Sequence, residues 1–429
     1  MATPAESSGP PSGIGPMQRR EARLAYGMLL PTFAIVLLIV LVPLLANFWV
    51  SLKPVQLADL RPPTPVANER VRGRAEAAGD PVRVEYRVRN SSPEQPIEGV
   101  TLVDAWPAGL EVAALDQRCA IAGDGLRCAL GDLAPGGRLN VEIEATATQG
   151  FIDAAPDLRA SEPVLAGQAH NVLTSGELTL DNFRRVFSGA EFWTVLRVTF
   201  YYTIFGTAGA LVLGLFAALL LNTAFRGRGF LRGLFLFPYV APVIAVAFTW
   251  VLLLDPFSGT LNAVLQQMGA TEGAINFFGQ RETTVSLFGL QLTIPLALTT
   301  VIAFEIWRYF PLSFLFILAR MQSISSDMYE AAEMDGATPL QQFWWISLPQ
   351  LAGILSVLFL LRFIWTFNKF DDIFLLTGGA AGTRTLTVDV YEQGFALSNL
   401  GAGAAVAVVV FAVLFTFSLI YFRFAPREG

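Results

Sequence analysis

The chain has 429 residues, 53% of them hydrophobic and 15% charged, with a formal net charge of −6. Soluble domains carry about 25% charged residues, so this balance describes a membrane protein with a smaller water-exposed part. One histidine, two cysteines and two lysines, neither preceded by glycine, exclude two-histidine metal sites, cysteine-based zinc or iron–sulfur sites and a Walker-type ATPase, and the acidic balance argues against nucleic acid.

Residues 1–18 are rich in Pro, Gly and Ser and read as a disordered tail. A membrane span needs about 20 mostly apolar residues. The first candidate, Leu24 to Leu52, follows Arg19, Arg20 and Arg23. Its apolar run is about twice the length of a signal-peptide core and ends at no small-residue cleavage site, so 19–52 is expected to be a retained helix.

Residues 53–176 form an insert. Val82, Val84, Tyr86 and Val88 alternate with Arg83, Glu85, Arg87 and Arg89, the pattern of a half-buried strand. Val141, Ile143 and Ala145 repeat it. Turn signals lie between, among them Pro107-Ala108-Gly109, Gly123-Asp124-Gly125 and Pro135-Gly136-Gly137. Short strands with regular turns predict an antiparallel β-sandwich at about 78–150. Cys119 and Cys128 flank the Gly-Asp-Gly turn as in a hairpin. In an oxidising compartment they are placed for a disulfide; the alternative is two free thiols packed in a sheet. Val84-Glu85-Tyr86-Arg87-Val88-Arg89-Asn90, Gly99 to Asp104 and Cys128 to Gly136 resemble the conserved-repeat sandwich of bacterial surface proteins. That resemblance implies adhesion or packing.

The remainder is 177–424, followed by a tail at 425–429. Glu177 to Trp193 reads as an interfacial helix. Further spans are expected at Val198–Phe225, Gly233–Leu254, about Leu292–Ala319, about Gln350–Thr377 and Gln393–Phe422. The fold class is therefore α-helical membrane protein, with six spans and a β-sandwich between spans one and two. Arginines cluster before span one, at Arg226, Arg228 and Arg232, and at Arg423 and Arg427. Their bias predicts cytoplasmic termini and an outside insert. Gly401, Ala402, Gly403, Ala404 and Ala405 open span six and suggest close helix contact at a subunit seam.

Two polar stripes interrupt the spans. Glu305, Arg308, Tyr309 and Leu312 have i, i+3, i+4, i+7 spacing, and so do Arg362, Trp365, Thr366 and Lys369. Charges at membrane depth mark a pathway or a partner. Aromatic rings beside hydrogen-bonding groups suit a sugar; the alternative is a Glu305–arginine pair sealing the bundle. Asp371 and Asp372 are expected nearer the outer end, as gate or binding-protein contacts.

Ser325 to Pro349, between spans four and five, specifies an elbow. Ser326 is the expected N-cap, Gly336 fits the left-handed stop, and Thr338 with Pro339 starts a second helix. Pro349 marks the entry to span five. Composition alone describes an ordinary surface helix pair. Glu330-Ala331-Ala332, Asp335-Gly336-Ala337 and Ile346-Ser347-Leu348-Pro349, however, resemble the EAA loop of ABC importer permeases. Leu180-Asp181-Asn182-Phe183, Arg228-Gly229-Phe230, Phe237-Pro238, Phe363 to Asn368 and Leu375 to Gly379 are similar to the carbohydrate-uptake class, the maltose and glycerol phosphate permeases. The resemblance implies a bacterial cytoplasmic-membrane, multi-pass permease subunit without enzymatic activity. Glu330, Ala331, Ala332, Asp335, Gly336, Leu348 and Pro349 would couple to an ATPase subunit dimer, which holds the ATP and magnesium; this chain would carry no cofactor. A second homologous permease, an extracytoplasmic solute-binding protein and a sugar would be the other partners, in membrane lipid. The alternatives are a membrane-anchored surface protein whose sandwich is the working part, and an ion-driven carrier, which should show internal repeats.

Overall fold

The computed structural model describes residues 16–424, apart from 62, 74, 94, 124, 155–161, 288 and 289. Most of the expected N-terminal tail, the expected tail at 425–429 and the turn residue Asp124 thus lie outside the described residues. Helix begins at Pro16, inside the expected tail.

The first span is α1 (Pro16–Val36), a π-turn at Leu37–Leu41 and α2 (Val42–Ser51). Seven strands follow: β1 (Pro65–Arg72), β2 (Pro81–Asn90), β3 (Ile97–Ala105), β4 (Leu110–Ala114), β5 (Cys119–Ala122), β6 (Gly125–Leu133) and β7 (Arg138–Ala147). Then come α3 (Gln149–Ala154) and β8 (Val164–Ala169). They form two four-stranded antiparallel sheets, ordered β1-β2-β7-β4 and β5-β6-β3-β8. One core joins them, with Val84, Tyr86 and Ile143 from the first sheet against Ile97, Leu102 and Leu126 from the second. Alternation puts these apolar side chains on the inner faces.

The sandwich extends beyond 78–150 at both ends. β1 places Glu69 among its inward positions, which hides the alternation. β8 holds Gly167 where a Cβ would sit 2.6 Å from Ile97, so the strand lacks a side chain at its closest contact. In the hairpin of β5 and β6, Cys119 is registered opposite Cys128 and the two sulfurs are bonded.

The helical part continues with α4 (Asp181–Ser188), α5 (Ala190–Asn222), α6 (Arg228–Val240), α7 (Val243–Leu253), α8 (Thr260–Gln267), the hairpin β9 (Thr283–Leu287) and β10 (Leu290–Ile294), and α9 (Leu296–Met321). The elbow helices are α10 (Ser326–Met334) and α11 (Pro339–Gln342). Last are α12 (Leu348–Phe367), α13 (Asp371–Thr377), α14 (Leu386–Tyr391) and α15 (Leu400–Phe424). Among the described residues five helices are long and apolar enough to cross a membrane, or six if one bent pair is a single span.

Several boundaries differ from the sequence reading, among them span six, which opens at Leu400 because Gln393 lies in a separate π-turn at Glu392–Ala396. Trp193 belongs to the long α5, so the interfacial helix stops at Ser188. Span four starts at Leu296, because Leu292 is in β10. Span three is bent by 93° between α6 and α7. Pro242 removes an amide donor and holds Ala241 extended, at φ −64° and ψ 143°, which ends α6. Span five ends at Asn368, whose side chain bonds the Ile364 carbonyl; Asp371 and Asp372 begin a separate short helix.

α5 and α9 form the central contact. A Cβ on Gly206, Gly209 or Gly214 would lie 2.9, 2.2 or 2.6 Å from Glu305, Ile306 or Ser313, so these glycines set the interhelix distance. Gly401 to Ala405 are likewise buried within this chain, where Gly401 packs on the Lys53 carbonyl and Asn182. The seam they line is intramolecular.

Candidate functional site

Two assemblies stand out, one inside the bundle and one on its surface. The inner assembly is built where α5, α9 and α12 meet. Glu305 is fully buried. Its Oε1 accepts from Arg362 Nη2 at 2.5 Å and from Thr366 Oγ1 at 2.9 Å. Its Oε2 accepts from Tyr202 Oη at 2.9 Å. Three donors from two neighbouring helices thus satisfy the carboxylate, as burial of a charge requires.

Arg308, one turn along α9, performs a different task. Its guanidinium donates to the Pro238 carbonyl at 3.4 Å and the Ala241 carbonyl at 3.2 Å. These carbonyls are exposed by the break before Pro242, so Arg308 caps the bend of the third span. Asp372 is also fully buried, 3.9 Å from Arg308 and 3.7 Å from Lys369. Neither of its oxygens has a hydrogen-bond partner among the described residues. The ring of Tyr309 lies beneath three cations, Arg308, Arg362 and Lys369, at 5.5, 4.5 and 4.3 Å from its centroid.

The two sequence stripes are therefore only partly faces. Glu305, Arg308 and Tyr309 share the buried side of α9, with Leu312 half-buried beyond them. On the second stripe, Arg362 and Thr366 are buried, whereas Trp365 is 48% exposed. Lys369 lies past the end of α12 and reaches the cluster from the following turn. Asp372 is a buried member of the same cluster and is not a surface contact; Asp371 remains half-exposed beside Lys369 at 3.7 Å. Tyr202 was not singled out by the sequence, because a lone tyrosine in an apolar span carries no periodic signal.

The surface assembly is the elbow. Ser325 rather than Ser326 caps α10, its hydroxyl accepting from the Asp327 amide at 3.3 Å. Glu330, Ala331 and Ala332 lie on α10 and Asp335 closes it. Gly336 follows at φ +78°, the left-handed conformation that glycine adopts without steric cost. Thr338 and Gln341 then form a capping box around Pro339. The second helix does not stop at Pro349. It passes through a π-turn at Phe343–Ser347 into α12, so residues from Pro339 to Phe367 form one rod. Leu348 and Pro349 directly follow the π-turn, where the regular i→i−4 ladder is already interrupted and the rod accommodates a proline that has no amide donor. Tyr329 and Ser347 tie the two arms by a hydroxyl pair at 2.9 Å. Met334, Leu340 and Trp345 are 89, 67 and 81% exposed, an apolar surface on a polar elbow. The adjacent Trp344-Trp345 pair was a visible signal that the sequence reading did not use.

A family model described as the binding-protein-dependent transport system inner membrane component matches residues 210–428. The inner membrane ABC transporter permease protein YcjO of Escherichia coli is 36% identical over 56% of this chain and 77% of its own length. The trehalose/maltose transport system permease protein MalF of Thermococcus litoralis is 33% identical over 57% of this chain and 78% of its own. The sn-glycerol-3-phosphate transport system permease protein UgpA of Agrobacterium fabrum is 31% identical over 60% and 83%. In fold, the chain is similar to a bacterial ABC transporter involved in alginate import, with a TM-score of 0.50 and 21% identity over 59% of this chain and 86% of that one. The chain belongs to the family of binding-protein-dependent transport system inner membrane components, and is a multi-pass ABC transporter permease, a transport subunit rather than an enzyme.

Proposed function

We propose that this chain is one of two permease subunits of an ATP-driven importer that receives a sugar or oligosaccharide from an extracytoplasmic binding protein. The observation that carries the reading is the elbow. Glu330 to Pro349 present an exposed helix pair whose second arm is continuous with span five. A push on Pro339 is delivered along α12 to Arg362, and through Glu305 to α9 and α5. The three helices then move as one body, the kind of movement that alternating access needs. ATP and magnesium belong to the ATPase dimer.

With two permeases around one pathway, a residue that meets the sugar is exposed in the isolated chain. Trp365 satisfies that condition. Glu305, Arg362 and Thr366 support it from behind as a fixed frame, with Arg308, Tyr309 and Lys369 completing the frame. The names of the relatives, for trehalose/maltose, glycerol 3-phosphate and alginate, support a polyhydroxylated solute. The arginine bias supports cytoplasmic termini and an outside sandwich. A surface-anchor role would need one span, and at least five candidates are present.

The test is labelling and co-purification together. Single cysteines in the sandwich should react with a membrane-impermeant reagent in intact cells, and one at Ser326 should not. The purified chain should bring an ATPase and a second permease. Reversed labelling sinks the orientation, and a lone chain sinks the subunit reading.

A further inference from the structure

The solvent face of the sheet β1-β2-β7-β4 carries its charges in registered rows. Across β1, β2 and β7 one row is Arg72, Arg83 and Glu144, and the next is Arg70, Glu85 and Glu142. These rows neutralise themselves. Arg83 meets Glu144 at 2.6 Å and Glu142 at 3.8 Å, while Glu85 meets Arg87 at 2.8 Å and Arg72 at 3.4 Å. The opposite end is different. There the rows are Asn68, Arg87 and Asn140, then Val66, Arg89 and Arg138. Arg89 and Arg138 stand directly opposite each other, and neither forms an ion pair among the described residues. Like charges facing across a strand pair are destabilising. These residues line a groove of about 760 Å³ at the edge strand β1.

We propose that this groove binds an acidic glycan, a carbohydrate bearing carboxylate groups. The adjacent guanidinium forks of Arg89 and Arg138 match a carboxylate in bidentate geometry, and an anion between them relieves their repulsion. The amides of Asn68 and Asn140 lie two residues along the strands, on the order of 7 Å away. They both donate and accept, which suits sugar hydroxyls on the same ring or its neighbour. Val66 supplies an apolar edge for ring carbons. Arg87, already held by Glu85, closes the groove toward the neutral rows. The site rests on the sheet geometry and stands whether or not the membrane part carries the same sugar.

The experiment uses the full chain in nanodiscs of neutral lipid, titrated with an oligogalacturonate, its fully methyl-esterified form and inorganic phosphate. Saturable binding is expected for the free acid alone, weakening with salt. Arg89→Gln with Arg138→Gln should weaken it about tenfold or more, the scale expected for loss of a bidentate charged pair. The same variant should keep or raise the sandwich's melting temperature, since it removes a like-charge contact. Should it fail to fold, Arg89→Lys with Arg138→Lys keeps the charge but loses the fork, and should still weaken binding. Unchanged affinity in either folded variant overturns the site. Equal binding of the methyl ester, or tighter binding of phosphate, overturns the acidic-glycan assignment.

Discussion

Glu305 and Arg362 meet at 2.5 Å in the bundle interior, with neither side chain more than 2% exposed. Tyr202 and Thr366 complete the carboxylate's shell, so three helices share one charge. Removing one partner of such a pair costs about 3–5 kcal/mol, because the other charge stays buried and unpaired. Glu305→Ala should therefore lower the melting temperature of the purified complex and its yield. Glu305→Ala combined with Arg362→Met should recover most of that loss. If the single variant melts like the wild type, the pair does not hold the bundle.

Gly336 separates the two elbow helices at φ +78°, and an added Cβ would meet no atom within 4 Å. The penalty for a larger residue is thus backbone conformation alone, roughly 1–2 kcal/mol for a β-branched side chain. Gly336→Val should turn the second arm and weaken association with the ATPase subunits, while Gly336→Asn should be tolerated. Pull-down of the ATPase by each variant gives the comparison. Equal recovery with Val would remove the elbow from the coupling scheme.

Trp365 is the exposed member of its stripe, one residue before the buried Thr366. Trp365→Ala leaves no buried charge behind. Assembly and basal ATPase activity should remain near normal, and uptake should fall, since stacking is worth on the order of 1 kcal/mol, about fivefold in affinity. Transport assays in vesicles, paired with quantification of assembled complex, separate the outcomes. A defect confined to assembly would make Trp365 a seam residue.

In the sandwich, the Arg118 guanidinium holds the Asp116 carboxyl down to about 2, chiefly through a hydrogen bond at 2.6 Å. The unfolded carboxyl titrates near 3.9. The stability from this depressed carboxylate is therefore fully present above about pH 4 and is lost as pH falls through about 2. Asp116→Asn should flatten the acid dependence of sandwich amide exchange between pH 4 and 2. An unaltered profile would assign the acid sensitivity to other carboxylates.

Local features were the ones legible in sequence. Gly336, Thr338 and Pro339 specify the elbow through backbone chemistry within a few residues. Val84, Tyr86 and Val141 announce their strands by alternation, whereas β1 and β8 break the pattern with Glu69 and Gly167. The break at Ala241 was signalled by Pro242, but the apolar run around it outweighed one proline. Glu305 and Arg362 could be placed at membrane depth from the sequence. Their pairing depends on how α9 packs against α12, and on glycines of α5 that bring Tyr202 close. Trp365 fell on the predicted stripe by spacing, yet spacing does not say which side of a span its neighbours cover.

The base of the insert has a structural economy of its own. Asn182 donates to the carbonyls of Ser51 and Lys53 at 2.9 and 2.7 Å, and the Thr179 amide donates to Leu52. Lys53 reaches the carbonyls of Ser175 and Glu177 while lying 4.5 Å over the Trp49 ring. The chain thus leaves and re-enters the helical part at one stapled point. Because both ends of the insert are fastened to each other at this neck, a change in its length between Val66 and Ala169 should leave the register of the helical part unchanged.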